Sequence, residues 1–269
     1  MLTVITPVMN GGVHIRGCLE NVIAQGVDEL EHIIADGGSN DGTLAIVEEY
    51  RAKYPHVRLL NGPDLGQSDA INKATAIAKG ELIGILNVDD RYRQKTLAKV
   101  RQAFESHAKP AIGVGDCEVF DADGELLYIN QPRYLGLKAY LLGFPYPVNP
   151  VAYFYHRELH ERIGGYDVDD HYAMDLDFLC AASKAGSYFR IPGVLGSFHM
   201  IAESKTVSDQ QQNKGPARVE SILRRYAEEF PLPARAFFRG ARFFVRLGRK
   251  VCGRTWVWTS GHIKLGGCN

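Results

Sequence analysis

Residues 30–43, LEHIIADGGSNDGT, run apolar and β-rich to Ala35, then break at once into Asp36, two glycines, an asparagine and a second aspartate. A strand buried on both faces reads as a nearly continuous apolar run, and polar and glycine residues take over where it leaves the sheet. Residues 81–90, ELIGILNVDD, repeat the pattern, and LTVITPV at 2–8 is a third strand of the same kind. Between these lie helical segments: GVHIRGCLENVIAQG (12–26, with Leu19, Val22 and Ile23 inward), TLAIVEEYRAKY (43–54) and SDAINKATAIAKG (68–80). With the short strand VRLLNG (57–62) they give a βαβαβ order and predict an α/β fold around a parallel sheet. Open sheets of this class bind ligands beyond the carboxyl ends of their strands. Asp36, Asp89 and Asp90 are therefore expected at a working edge.

Farther along, QKTLAKVRQAFESH (94–107) predicts a helix, and AIGVGDCEVFDADGELLYI (111–129) a hairpin turning at Asp121 to Gly124, so the second half becomes a mixed sheet. Ser68 or Asp69 is the expected N-cap of its helix and Gly80 its end. Residues 130–149 are rich in Pro, Gly and Tyr and read as a loop or short helices, and SYFRIPGVLG (187–196) reads as a strand. No repeat or low-complexity tract divides the chain. We expect one domain over residues 1–215 and a helical, basic extension over 216–269.

Composition excludes several classes. With 45% hydrophobic and 23% charged residues and no apolar run long enough to cross a bilayer, the 269-residue chain reads as globular, without a transmembrane segment. The opening MLTVITPVMN has no basic region ahead of an apolar core, so a cleaved signal peptide is not expected and a cytoplasmic location is. Cys18, Cys117, Cys180, Cys252 and Cys268 form no CxxC pair, which argues against a zinc site or a disulfide framework and for buried thiols. A dinucleotide oxidoreductase is disfavoured by the missing GxGxxG, and nucleic-acid binding has only the tail in its favour.

That tail is electrostatically distinct. Residues 230–269 hold eight Lys/Arg and no acid, leaving 23 basic against 31 acidic residues elsewhere in a chain of zero formal charge. Arg235, Arg239, Arg242, Arg246 and Arg249 recur at spacings of four and three, one face of a helix, while Phe237, Phe238, Ala241, Phe244 and Val245 occupy the rest. Followed by Trp256 and Trp258, such a helix suits an anionic membrane surface on the inner face of the cell membrane; a packing or dimer helix is the alternative.

Adjacent carboxylates such as Asp89 and Asp90 repel one another, and a divalent cation with a preference for oxygen ligands, Mg²⁺ or Mn²⁺, is the simplest compensation. The alternative is an acid pair capping the following helix. Asp36, at a strand end, could likewise face a ligand or merely organise the GGSNDG turn, where Asp41 and Gly42 read as turn and cap residues.

TPVMN (6–10), ADGGSNDGT (35–43), GQSDAINKA (66–74), LNVDD (86–90), GGYD (164–167) and MDLDF (174–178) together resemble family 2 glycosyltransferases of the GT-A fold, over about residues 1–206. The resemblance implies an inverting transferase that moves a sugar from a nucleotide diphosphate, UDP favoured, to a hydroxyl of a glycan or lipid-linked acceptor in cell-surface polysaccharide or lipopolysaccharide biosynthesis. It places Thr6, Pro7, Asn10 and Asp36 beside the nucleoside, and Gly66, Asp69 and Lys73 beside the diphosphate and sugar. Asn87, Val88 and Asp89 stand where the family has DxD, with Asp89 the first choice for metal ligand, Asp90 beside it, and His199 a nitrogen ligand or diphosphate contact, Lys205 being the alternative. The chain departs from the family at Asn87, at Ile201, where relatives have a histidine, and at Met174, where they have Glu. Asp175 is the implied general base, Asp177 an N-terminal helix acid, and Gly164 to Asp167 the turn beneath the acceptor. A catalytically silent nucleotide-sugar or glycan-binding protein and a sugar-phosphate nucleotidyltransferase are the rivals.

Overall fold

The computed structural model describes residues 1–200 and 214–251, with side chains as far as residue 245. Strands β1 (Leu2–Val8), β2 (Leu30–Asp36), β3 (Val57–Asn61) and β4 (Leu82–Ile85) are parallel, in the spatial order β3-β2-β1-β4. Helices α1 (Ile15–Ile23), α2 (Thr43–Lys53) and α3 (Gln67–Ile77) make the crossovers. The chain steps outward from β1 to β3 and returns to β4 on the other flank of β1, so strand order reverses between β1 and β4. In this fold class ligands bind beyond the carboxyl ends of the strands at such a reversal.

The second half extends the sheet with mixed polarity. After β5 (Arg91–Tyr92) and α4 (Thr96–Glu105) come β6 (Ala111–Phe120), β7 (Leu126–Asn130), α5 (Leu137–Leu141), a 3₁₀ turn at Pro150–Ala152, β8 (Tyr153–His156), α6 (Arg157–Ile163), α7 (Met174–Ala185) and β9 (Ser187–His199). Strand β8 runs antiparallel between β4 and β6, and β9 lies parallel to β6 with β5 beyond it. The expected hairpin is β6 and β7, closed by Gly124 N–H donating to the Asp121 carbonyl at 3.2 Å. Two helices complete the described chain, α8 (Lys214–Ala227) and α9 (Leu232–Val251).

Side-chain alternation along the strands builds a core on each face of the sheet. Ile5, Ile33, Ile83 and Tyr155 join Ile71 of α3 and Phe178 of α7 on one face; Val4 and Phe154 join Val22 of α1 and Val100 of α4 on the other. Each such side chain fully removed from water contributes about 1.5–3 kcal/mol. Residues 130–149 are part of this packing, since Tyr140 and Leu141 of α5 are buried. Ile222, Leu223 and Tyr226 of α8 enter the same cluster as Phe178, and Phe238 of α9 follows them. Cys18, Cys117 and Cys180 are free buried thiols; Cys252 and Cys268 lie outside the described residues.

Three local expectations are corrected. Helix α3 starts at Gln67 after Gly66, whose φ of 120° few side chains tolerate, so Ser68 and Asp69 sit in the first turn rather than at the cap. The helix ends at Ile77; Gly80 instead lets the chain pass Thr3, whose backbone nitrogen would stand 2.6 Å from a Cβ there. The arginines of α9 do not all face outward. Arg242 is buried, donating to the Leu141 carbonyl at 3.3 Å and to the Glu220 carboxylate at 3.1 Å, while Phe237, Phe243 and Phe244 are 64%, 63% and 68% exposed. The side chains of Arg246 and Arg249, and Trp256 and Trp258 entirely, lie outside the described residues.

Gly164 and Gly165 turn the chain between α6 and α7 with φ of 81° at both. A Cβ on Gly165 would meet Asn72 Oδ1 at 2.6 Å and His160 Nε2 at 2.8 Å. Gly165→Ala is therefore expected to lower stability by about 2–4 kcal/mol, strain and overpacking combined, measurable as a shifted urea midpoint.

Candidate active site

The edge is assembled around the first turn of α3. Gln67 donates through Nε2 to Asn87 Oδ1 at 2.8 Å, while its neighbour Ser68 donates through Oγ to Met174 Sδ at 3.3 Å. One helical turn thus touches both the segment after β4 and the start of α7. Asn72, a turn further on, donates to the Tyr166 carbonyl at 2.8 Å and accepts its N–H at 2.9 Å. Four of the sequence segments singled out above, GQSDAINKA, LNVDD, GGYD and MDLDF, therefore meet.

Asp36 ends β2 opposite Val8 in register. Its Oδ1 accepts the N–H groups of Gly38 and Ser39 at 2.9 and 2.7 Å, so it does organise the glycine turn. Its Oδ2 is buried without a hydrogen-bond partner, which is costly unless a donor from outside fills the place. Asp41 accepts from Thr43 and from Gly12 N–H and is a turn acid, as the sequence indicated. Asn10, in the left-handed region at φ 54°, ties this loop down by accepting Asn40 N–H at 2.9 Å and donating its own N–H to Ser39 Oγ at 2.7 Å. Pro7 is partly exposed beside it. Thr6 departs from its expected place: its side chain is buried toward α1, with Oγ1 2.9 Å from His32 Nε2. Strand alternation turns it away from the crevice.

The LNVDD segment separates its two acids. Asp90 is fully buried; Oδ2 accepts from Asn87 Nδ2 at 3.0 Å and Asn149 Nδ2 at 2.8 Å, and Oδ1 accepts His199 N–H at 3.1 Å. Asp90 is thus an internal tie between the β4, β8 and β9 segments and is withdrawn from the metal ligands. Burial, then the charge of Asp89, holds its carboxyl well above the usual range. Asp89 has no ion pair among the described residues, and burial raises its carboxyl too, against the nearby His14, Arg91 and His199. Val88 packs over Gly11, where a Cβ would stand 3.2 Å away. His199 stacks on Phe120 at 5.0 Å, with Nε2 3.0 Å from Ser197 Oγ, and burial lowers its pKa, so at neutral pH it is an uncharged nitrogen donor. Ile201 and Lys205 lie outside the described residues.

In the segment expected beside the donor, Gly66 faces His171 and Asp69 is engaged twice, accepting Leu65 N–H at 2.9 Å and pairing with Lys73 at 2.8 Å. Lys73 also donates to the Pro63 carbonyl at 3.0 Å.

Asp175 sits in the first turn of α7, half-buried. Tyr153 O–H donates to its Oδ1 at 2.5 Å. Burial pushes the carboxyl up to about 6, with the Tyr153 hydrogen bond opposing and the charge of Asp170 adding to the rise. Because β8 runs antiparallel to β4 with Phe154 opposite Gly84, Tyr153 stands at the same sheet edge as the end of β4. Asp177 points away, held by Arg225 and by Tyr226 O–H at 2.9 Å. Asp170 caps the approach to α7 by accepting Tyr172 and Ala173 N–H at 3.0 Å each, and Arg218 of α8 binds Asp170 at 3.0 Å and Asp167 at 3.3 Å. Helix α8 therefore clamps the element that carries Asp175. Gln67, Asn149, Tyr153 and Arg218 were not singled out by sequence reasoning, and no local spacing marks them.

An α/β sheet with a reversal at β1/β4, edge acids after β2 and β4, and a further acid opening α7 is the architecture of a GT-A glycosyltransferase. The model of the family described as glycosyl transferase family 2 matches residues 3–162, and the chain belongs to that family. It is 39% identical over 89 residues to the glycosyltransferase YibD of Escherichia coli K12 (33% of this chain, 26% of that one) and 34% identical over 136 residues to the chondroitin synthase of Escherichia coli (50% and 20%). The matched segments thus span about a quarter or less of those relatives. The glycosyltransferase Rv1514c of Mycobacterium tuberculosis H37Rv is 28% identical over 224 residues, 80% of each chain. Among solved structures, S. aureus TarS 1-349 in complex with UDP-GlcNAc superposes with a TM-score of 0.63 at 19% identity, covering 82% of this chain and 66% of that one. The mannosyltransferase PcManGT of Pyrobaculum calidifontis, in complex with GDP-Man and Mn²⁺, gives 0.60 at 19% identity, covering 94% and 75%.

Proposed function

We propose that this protein transfers a glycosyl group, with inversion, from a nucleotide-diphosphate sugar, UDP favoured, to a hydroxyl of a glycan or lipid-linked acceptor in cell-surface polysaccharide synthesis. One observation carries the reading. Among the described residues, the buried acids Glu31, Asp116, Asp170 and Asp177 are matched to Arg58, Arg190, Arg218 and Arg225, and buried Asp90 is filled by Asn87, Asn149 and the His199 N–H, whereas buried Asp36 and the partly buried Asp89 and Asp175 have no ion pair and stand at the carboxyl edge. Carboxylates held out of water without a counter-charge are retained where an outside group completes them.

Asp36 Oδ2 takes a donor from the nucleoside. Asp175 accepts the proton of the acceptor hydroxyl as that oxygen forms its bond to the anomeric carbon from the face opposite the diphosphate. The bond from that carbon to the phosphate oxygen breaks, and its electron pair leaves with the nucleoside diphosphate. No trio of His, Cys, Asp or Glu able to enclose a metal exists among the described residues. Asp89, with His199, fits an ion of the Mg²⁺ or Mn²⁺ kind, which takes one or two protein ligands and fills its shell from substrate phosphates and water. Such an ion would neutralise charge gathering on the leaving diphosphate. The bound UDP-GlcNAc of TarS and the GDP-Man and Mn²⁺ of PcManGT support this assignment of donor and metal. The test is calorimetric titration with UDP, GDP, TDP and CMP, with Mn²⁺ and then EDTA. Metal-dependent binding of one diphosphate is expected; binding of none under either condition sinks the reading.

The acceptor side we place at an anionic membrane surface, reached through α9. No helix among the described residues is long and apolar enough to cross a membrane. The outward face of α9 carries Phe237, Phe243, Phe244 and Leu232, with Arg239 at its edge. Three phenylalanines on one wet helix face, in a region with eight basic residues and no acid, suit the headgroup boundary of an anionic bilayer, and the same charge opposes pairing of two copies there. Replacing Phe237, Phe243 and Phe244 together by Ser is expected to reduce co-sedimentation with phosphatidylglycerol-containing vesicles by roughly tenfold or more. Equal sedimentation of the two proteins removes the membrane role.

A further inference from the structure

Strand β8 reads Tyr-Phe-Tyr-His, and alternation sends Tyr153 and Tyr155 to the α7 face and Phe154 to the other. Two large phenols are thereby placed side by side in the core beneath Asp175, each needing a hydrogen-bond partner. Tyr153 O–H donates to Asp175 Oδ1 at 2.5 Å, so its oxygen is left to accept; Tyr166 O–H lies 2.9 Å from it and donates. Tyr155 O–H meets His160 Nδ1 at 3.2 Å at the far end. Phe178 stacks on Tyr166 with centroids 4.2 Å apart and planes within 9°, which fixes the ring that fixes Tyr153.

We propose that Tyr153, held by Tyr166, is the positioning residue for the general base, engaging Asp175 Oδ1 so that Oδ2 is aimed at the acceptor hydroxyl. This rests on the role given to Asp175 above and deepens it. Met174 occupies the helix-start position beside Asp175 and contributes a thioether to Ser68, so the polar partner of this carboxylate comes from β8 and not from its own helix. The charge balance is consistent. The groups facing Asp175 are Tyr153 and Tyr155 from β8, Tyr166 and Asp170 from the loop before α7, and Tyr146 from the segment after α5, with no cation among them. Burial holds the four phenols protonated, Tyr146 being pushed up to about 12, and holds His160 neutral by pushing it down to about 4. Among the described side chains the short phenol hydrogen bond is therefore what stabilises the ionised base, beside its place in the first turn of α7, and a phenol that donates favours the charged carboxylate.

The first test needs no substrate. In protein labelled with ¹³C at aspartate carboxyls, the Asp175 signal is assigned from its loss in Asp175→Asn and titrated in wild type, Tyr153→Phe and Tyr166→Phe. Tyr153→Phe is expected to raise the Asp175 midpoint by about one pH unit, and Tyr166→Phe to raise it less. The second follows UDP release from UDP-N-acetylglucosamine and UDP-glucose against pH, with water as acceptor. The acid limb should move up with the carboxyl in Tyr153→Phe, while UDP affinity stays within twofold. An unmoved carboxyl overturns the inference, as does a lowered melting temperature with both profiles in place; if Tyr153→Phe does not fold, Tyr166→Phe decides by the same criterion. If Asp175→Asn still releases UDP at the wild-type rate, it is the base assignment that fails; if that variant is inactive but Tyr153→Phe leaves the midpoint unmoved, only the positioning role fails.

Discussion

Asp175→Asn is expected to abolish transfer while leaving the donor cradle intact and making the protein more stable. A positioned general base is worth about 10²–10⁴ in rate, and the amide keeps the shape and the hydrogen bond from Tyr153 but accepts no proton. UDP affinity should stay within about twofold, because Asp36 and Asp89 stand on other elements. The stability effect follows from the carboxyl, which burial raises from 3.8 to about 6. Well below pH 3.8 Asp175 is protonated in folded and unfolded chains alike and contributes no difference. Between pH 4 and 6 the unfolded chain ionises first, so the wild type loses stability, and above pH 6 the full deficit of about 3 kcal/mol is present. Asparagine removes it. Thermal unfolding at pH 8 should thus favour the variant by several degrees, and well below pH 3.8 this difference should vanish. A variant less stable than wild type at pH 8 contradicts this account of the site.

The parts of this arrangement that were legible in sequence are those written in local pattern. Apolar runs ending in Asp36 and Asp89 announce buried strands and a working edge, because burial on both faces demands continuous apolar residues and emergence permits acid. The hairpin at Asp121 is equally local, whereas the acid opening α7 was reached through the resemblance of MDLDF. What was not legible depends on partners far away in the chain. Asp90 and Asp89 are indistinguishable by composition, and Asn149, 59 residues on, and the His199 N–H, 109 residues on, claim one and leave the other. Arg218 reaches back 48 residues to Asp170, and Arg242 reaches back 101 to Leu141, turning inward from a helical stripe that periodicity alone would put in water. The misplacement of Thr6 is of another sort. Its alternation parity within β1 was available, but the parity of a strand buried on both faces does not say which side is the crevice.

That separation of Asp89 from Asp90 makes the second large effect specific. Asp89→Ala should weaken diphosphate binding in Mn²⁺ by about 10²-fold and leave the weak binding measured in EDTA unchanged, since it removes the free carboxylate and touches neither Asp36 nor the α3 turn. Asp90→Ala should behave differently. It strips the acceptor from Asn87, Asn149 and the His199 N–H together, so its effect should appear first as lost stability, on the order of 3 kcal/mol, with metal dependence preserved in the protein that remains folded. The pH dependence carries the same distinction. Burial raises the Asp89 carboxyl, so a cation binding there displaces protons as pH falls, and Mn²⁺-dependent affinity should decline toward acid pH in wild type but show no such slope in Asp89→Ala. If the two alanine variants exchange these phenotypes, the buried acid is the ligand and the free one is not, and the hydrogen bonds that hold Asp90 inside must open for the donor to bind.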